Sequence, residues 1–142
     1  MVDVQQIFDM AMDLMDEADE NSGSTDTMDT KEYRIRTISI LNSGIQLLYP
    51  YSSNCDRTVT GRPCAEPLTA DERKEPDFSQ ILPIDDALCL ALLPFYLASL
   101  LRAGEDGEFS ARMMNEFNRA FMELRSAMPA QFEQIVPAYG LY

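Results

Sequence analysis

The sequence has 142 residues and a net charge of −13, from 11 Lys and Arg against 24 Asp and Glu. It contains no His, so Ser–His and Cys–His dyads, an imidazole general base and a His-ligated metal site are excluded within one chain. The length fits a single domain over 1–142 with an ordinary globular hydrophobic content of 46%, and so large an acidic excess argues against nucleic-acid binding by phosphate neutralisation.

In chain order, residues 2–18 place Val4, Ile7, Phe8, Ala11, Leu14, Met15 and Ala18 at three- and four-residue steps. That spacing predicts one buried helix face, with Asp9, Asp13, Asp16 and Glu17 on the other side. Asn21-Ser22-Gly23-Ser24 ends the helix. The first 32 residues hold ten acids and only one base, Lys31. Crowding like charges on a helix costs stability, so this concentration needs a physical use. The run Asp19-Glu20-Asn21-Ser22-Gly23 looks like a calcium loop but fails on register. With Gly23 at the sixth position, the first, which needs a carboxylate, falls on Ala18 and the twelfth on Asp29.

A second helix opens with Asp29 as N-cap and Glu32 three positions on, and stops at Pro50. Its core stripe reads Ile38, Leu41, Ile45 and Leu48, flanked by Tyr33, Ile35 and Leu47. Periodicity then disappears over 51–80, a stretch holding Pro63, Pro67, Pro76, Cys55 and Cys64. Thr69-Ala70-Asp71-Glu72 is the one place there for a short helical turn. Connections this long are functional or disordered more often than not, so the segment reads as an excursion that reaches a partner or is ordered by one. Cys55 and Cys64 can meet across it, although three cysteines cannot all pair and reduced thiols in a cytosol are the default.

Asp85 and Asp86 open a third helix at the positive end of its dipole, a capping position rather than an acid–base pair. Residues 87–93 are apolar all round, which predicts a central helix, and Pro94 predicts a kink. This apolar run is too short to span a bilayer, and Asp3 and Asp9 stand where a secretory signal would carry a basic region. A soluble intracellular protein is the expectation. After Gly104-Glu105-Asp106-Gly107, a fourth helix sets Phe109, Met113, Phe117, Ala120, Phe121, Leu124 and Met128 on one face, with Arg112, Arg119 and Arg125 beside or opposite it. Pro129 ends it and opens the tail 129–142. Of the nine methionines, Met15, Met113 and Met128 fall on core stripes. Met10, Met12, Met114 and Met122 are the less buried candidates and would suit subunit contacts.

No strand-period segment competes. The fold class is therefore all-α: a four- to five-helix bundle with a long loop between the second and third main helices. A di-metal carboxylate bundle would need Glu-x-x-His pairs that are absent. Without a phosphate loop, CxxC pair or nucleophile motif, the residues favour a binding or assembly protein over an enzyme, with no cofactor and no metal.

The stretch Asp85-Asp86-Ala87-Leu88, then Leu92-Leu93-Pro94-Phe95-Tyr96-Leu97-Ala98-Ser99-Leu100-Leu101, an acidic break, and Phe109 with Asn115-Glu116-Phe117-Asn118-Arg119 resembles the head–tail connector (adaptor) proteins of tailed bacteriophages and prophages. Tyr33-Arg34-Ile35-Arg36-Thr37, Leu41-Asn42, Leu47-Leu48-Tyr49-Pro50-Tyr51 and the ending Phe132-Glu133-Gln134-Ile135 with Tyr139-Gly140 fit the same pattern, which covers most of 30–140. The loop over 51–80 is long for it.

The resemblance implies a helical viral structural protein that assembles into a homo-oligomeric ring between portal and tail. DNA transits the ring without specific binding, and neither membrane nor small-molecule substrate is involved. It places the protein at the virion head–tail junction, and in the bacterial host cytoplasm during assembly. On that reading Asp9, Asp13, Asp16 and Glu17 are candidates for the channel lining, because carboxylates repel phosphates. Arg112, Arg119 and Arg125 are candidate subunit contacts against the acidic first helix. Phe132, Ile135, Val136, Tyr139 and Tyr142 are candidates for docking portal- or tail-side proteins. The alternative is an acidic regulatory binder, a DNA-mimic-type inhibitor of a nucleic-acid-binding protein.

Overall fold

The apolar stripe of the first helix carries as far as Met15: α1 spans Val4–Met15 and buries Val4, Ile7, Phe8, Ala11, Met12 and Met15. A computed structural model describes residues 1–16, 30–56, 58, 60–70 and 75–127. Beyond α1 these comprise α2 (Lys31–Leu48), a 3-10 turn (Tyr49–Tyr51), α3 (Asp86–Arg102) and α4 (Gly107–Ser126). Among the described residues the only extended pairing is one antiparallel bridge, Asp3 with Ile81. The class is all-α.

The helix α1 stops three residues short of the expected end. Asp16 takes the left-handed conformation (φ 58) and its N–H turns back to Asp13 O, a C-terminal cap that Asp tolerates better than most residues. Met12 is fully buried and Leu14 is 37% exposed, reversing the expected order. The two flank the centre of the stripe about equally on opposite sides, so the packing of α1 against α3 decides between them, and periodicity cannot. The first turn is closed by groups distant in sequence. Val4 N–H donates to Gln80 O and Gln5 N–H to Phe78 O, while Gln6 N–H reaches the Asp3 carboxylate. Three donors that a helix start leaves open are thereby satisfied.

The stripe Ile38, Leu41, Ile45 and Leu48 of α2 is buried as its spacing predicts. Gly44 lies on the same face because α3 comes very close there. A Cβ on it would stand 3.0 Å from Leu93 Cδ2 and from two ring carbons of Tyr96.

The helix α3 is the centre of the molecule. It packs on α1, α2 and α4, whereas α1 and α2 touch only lightly. Its buried residues, Leu88, Cys89, Leu92, Leu93, Pro94, Tyr96, Leu97, Ala98, Ser99 and Leu101, lie all round the axis, which is what an apolar run without a polar face requires. Its end is capped from outside: Arg36 Nη1 and Nη2 donate to Leu101 O and Leu100 O. Arg102 Nη2 in turn caps α1 at Met15 O, and Tyr33 OH donates to Glu105 at 2.7 Å. One end of the bundle is therefore bound by a polar network across three helices.

Asp106 caps α4 by accepting from Phe109 N–H, and the helix doubles back along α3. Ser99 Oγ donates to Ser110 O at 2.8 Å, and Tyr96 and Phe117 stack with centroids 5.4 Å apart. Only Met113 and Phe117 of α4 are fully buried. Phe109, Ala120, Phe121 and Leu124 pack half-covered against the core.

The sequence reads 51–80 as an excursion that reaches a partner or is ordered by one; its described parts lie on the domain. Gln46 on α2 pairs both ways with the backbone of Ala65, its Nε2 donating to Ala65 O and its Oε1 accepting from Ala65 N–H. Asn42, one turn earlier, does the same with Leu68, and Gln80 with Thr69. Each carboxamide stands in for the neighbouring strand that an extended backbone lacks, so buried polar groups stay satisfied. Ala65, Leu68 and Phe78 are thereby fixed in the core. The Arg34 guanidinium lies 4.2 Å from the centroid of the Phe78 ring and 5.3 Å from that of Phe8.

Candidate assembly surfaces

The described acids of the first helix form one outward stripe. Asp9, Asp13 and Asp16 follow at four- and three-residue steps on the side away from the core, Asp9 half-buried and the other two exposed. Asp9 accepts from Gln5 Nε2 at 2.7 Å. No Lys or Arg occurs within α1, so the helix carries a single sign of charge. Glu17 lies outside the described residues.

The three arginines of α4 are all exposed, but they do not share a face. Arg112 and Arg119 are two turns apart on one flank, whereas Arg125 falls on the other. Arg119 is engaged within its own helix, with Glu116 at 2.7 Å and Glu123 at 2.9 Å. These carboxylates hold its proton even more firmly than usual, chiefly through the hydrogen bond and charge of Glu116. Arg112 lies over the Phe109 ring. Arg125 lies over Tyr51 and Phe121, whose rings meet edge to face at 5.0 Å. Since α1 and α4 both lean on α3 and make little contact with each other, the acidic and basic surfaces sit on separate elements. The tail residues Phe132, Ile135, Val136, Tyr139 and Tyr142 lie outside the described residues, as does Met128.

A third surface escaped the sequence. Along α2, on the side not used by the core stripe, Ile35, Ser39, Ser43 and Leu47 follow at four-residue steps, and Ile35 is 64% exposed. Two depressions lie along this row where α2 meets α3. One, of about 460 Å³, is lined by Ile35, Arg36, Ser39, Ile40 and Leu100. The other, of about 510 Å³, lies between Ser43, Leu47 and Tyr96 and the loop residues Arg62, Pro63 and Cys64. Ser43 and Tyr96 share a hydrogen bond of 2.7 Å on the floor. The signal available in the sequence was weak: two aliphatic residues at the ends of a polar row, separated by serines.

Asp85 stands at the N-cap position, but its side chain makes no bond to its own helix. It accepts instead from Ser53 N–H at 2.7 Å and Ser53 Oγ at 2.6 Å, while Asp85 N–H donates to Ser52 Oγ. The carboxylate thus fastens the start of the long loop to α3 rather than capping it. Asp56 and Asp77, both fully exposed, are held below the usual carboxylate range by the hydroxyls of Thr58 and Ser79 and by the N–H groups of the same residues.

The cysteines are free thiols. Cys89 is buried in α3, and burial, followed by the charges of Asp86 and Asp85, pushes its thiol up to about 12. It behaves as a small apolar residue. Cys64 is exposed beside the α2 depression and Cys55 is half-exposed. Among the described residues no group of three or more Cys, Asp or Glu is placed to hold a metal, and no helix is long and apolar enough to cross a membrane.

No family model, curated protein or solved structure matches the chain.

Proposed function

We propose that the protein is a structural subunit of a tailed phage or prophage, a head–tail connector that works by assembly rather than catalysis. The observation that carries this reading is the one-signed stripe Asp9, Asp13 and Asp16 on α1, set on a different element from the exposed arginines of α4. A ring built by head-to-tail contacts needs two different, complementary patches on each subunit, and the exposed arginines on the two flanks of α4 are candidates for one of them. The acidic stripe also suits a channel wall, since carboxylates keep DNA phosphates from adhering. The resemblance of 85–101 and 109–119 to connector proteins supports the same reading. The segment 132–142, rich in aromatic and aliphatic residues, is assigned to docking on portal- or tail-side proteins.

The test is charge reversal in the assembled state. The triple variant Asp9→Lys, Asp13→Lys, Asp16→Lys should retain its helix content and the ring, but should retard duplex DNA in a mobility assay where the parent does not. The retardation should weaken steeply with salt. A parent chain that never forms a ring, yet binds a DNA-binding protein tightly through the same three carboxylates, would establish the DNA-mimic reading instead.

A further inference from the structure

The row on α2 is apolar at its ends, serine-lined in the middle and floored by Tyr96 and Leu100. Among the described residues the only charged ones lining its two depressions are Arg36 and Arg62, in a chain whose net charge is −13. An occupant should therefore be aliphatic and aromatic with a sparse negative charge. Residues 128–142 have that composition: Phe132, Ile135, Val136, Tyr139, Leu141 and Tyr142, with Glu133 the single charged side chain.

Position and length agree. The helix α4 ends at Ser126, just beyond Phe121 and Arg125, which both contact Tyr51. Tyr51 in turn follows Leu47, at the near end of the groove, by about one turn. From Leu47 to Ile35 along α2 the groove is about 18 Å long, and residues 128–142 can extend on the order of 50 Å. Arg62 lines the depression at the Leu47 end and Arg36 the one at the Ile35 end, where Arg36 already donates to Leu100 O and Leu101 O. Arg62 is exposed and donates from Nη2 to Gln46 O, and a guanidinium has five donors.

We infer that the groove between α2 and α3 receives the chain's own segment 128–142, with Phe132 and Ile135 entering the apolar depressions and Glu133 meeting Arg62. This rests on the groove and not on the connector reading.

Cys64, at the rim of the groove, reports its coverage. In a Cys55→Ser background Cys89 stays silent, being buried with its thiol pushed up to about 12. Alkylation by neutral iodoacetamide then reads Cys64 alone. Cys64 in the full chain should react about tenfold more slowly than in a chain stopped after Ala127, the protection expected of a tethered segment bound about nine-tenths of the time. A peptide of residues 128–142 added to the shortened chain should restore the protection. Phe132→Glu with Ile135→Glu in the full chain should abolish it. Arg62→Glu should weaken it, and Arg62→Glu with Glu133→Arg should recover it. Equal rates in the full and shortened chains overturn the inference, as does protection that the Phe132 and Ile135 changes leave intact. Protection that grows with protein concentration assigns the groove to the segment of a second copy and overturns docking within one chain. None of these readouts involves a portal or DNA.

Discussion

The helices α1 and α4 flank the same central helix and are built oppositely. The shorter, α1, buries six side chains and has its first turn closed by Gln80, Phe78 and Asp3. The longer, α4, buries two, and its second half rests on Tyr51 through Phe121 and Arg125. The helix α1 is the more deeply buried of the two, although α3 and α4 share the most extensive pairing. The helix α4 contributes an amphipathic surface whose outer face is free to meet another molecule. A subunit that must assemble needs both: a region that fixes the fold and another whose contacts can be exchanged.

The contrast is broken most severely in the core. Phe8→Ala and Leu97→Ala should each cost about 3–5 kcal/mol in denaturant unfolding, because both side chains are fully buried. Phe121→Ala, at a half-covered site, should cost about 1 kcal/mol. Equal losses would mean that α4 is as much a part of the core as α1. Gly44→Val should cost about 1–3 kcal/mol by forcing α2 away from Leu93 and Tyr96, and should lower the melting temperature without changing the helix content of the folded state. Asn42→Ala and Gln46→Ala should cost about 1–2 kcal/mol each, since each deprives one loop residue of its bonding partner. Hydrogen exchange should speed up at Leu68 in the first variant and at Ala65 in the second, while α3 keeps its protection. Arg119→Ala should leave the denaturant midpoint nearly unchanged, because its ion pairs are exposed.

The smallest effect concerns pH. Asp56 and Asp77 are held below the ordinary carboxylate range by their hydroxyl and N–H partners, so their contribution is complete above the unfolded value and is lost as pH falls through the lowered folded values. Thr58→Ala and Ser79→Ala should each remove part of the acid sensitivity of the loop, as measured by the titration of the Asp56 and Asp77 carboxyls.

The fold class and the core stripes of α1 and α2 were legible because burial on one side of a helix writes a 3.6-residue period into the chain. Ile38, Leu41, Ile45 and Leu48 show this most directly. Met12 and Leu14 show its limit, for they flank the same stripe and only the position of α3 tells them apart. The contacts of the loop were not legible for a different reason. Its anchors, Asn42, Gln46, Gln80 and Asp85, are separated in sequence from Leu68, Ala65, Thr69 and Ser53 and leave no periodic trace. Polar residues that bind an extended backbone look in sequence like any solvated face. The acidic stripe of α1 was visible as composition and as spacing, whereas the α2 groove is a product of tertiary packing, formed only where Tyr96 and Leu100 meet the serines of α2.

Assembly is the claim on which the proposed function depends, and mass measurement addresses it directly. The chain should be measured alone at high concentration and again with a phage portal protein added. The account predicts a closed species of many copies in at least the second mixture, lost when residues 132–142 are removed although the helix content persists. A chain that stays monomeric in both mixtures, with no portal, capsid or tail genes around its own, would contradict it.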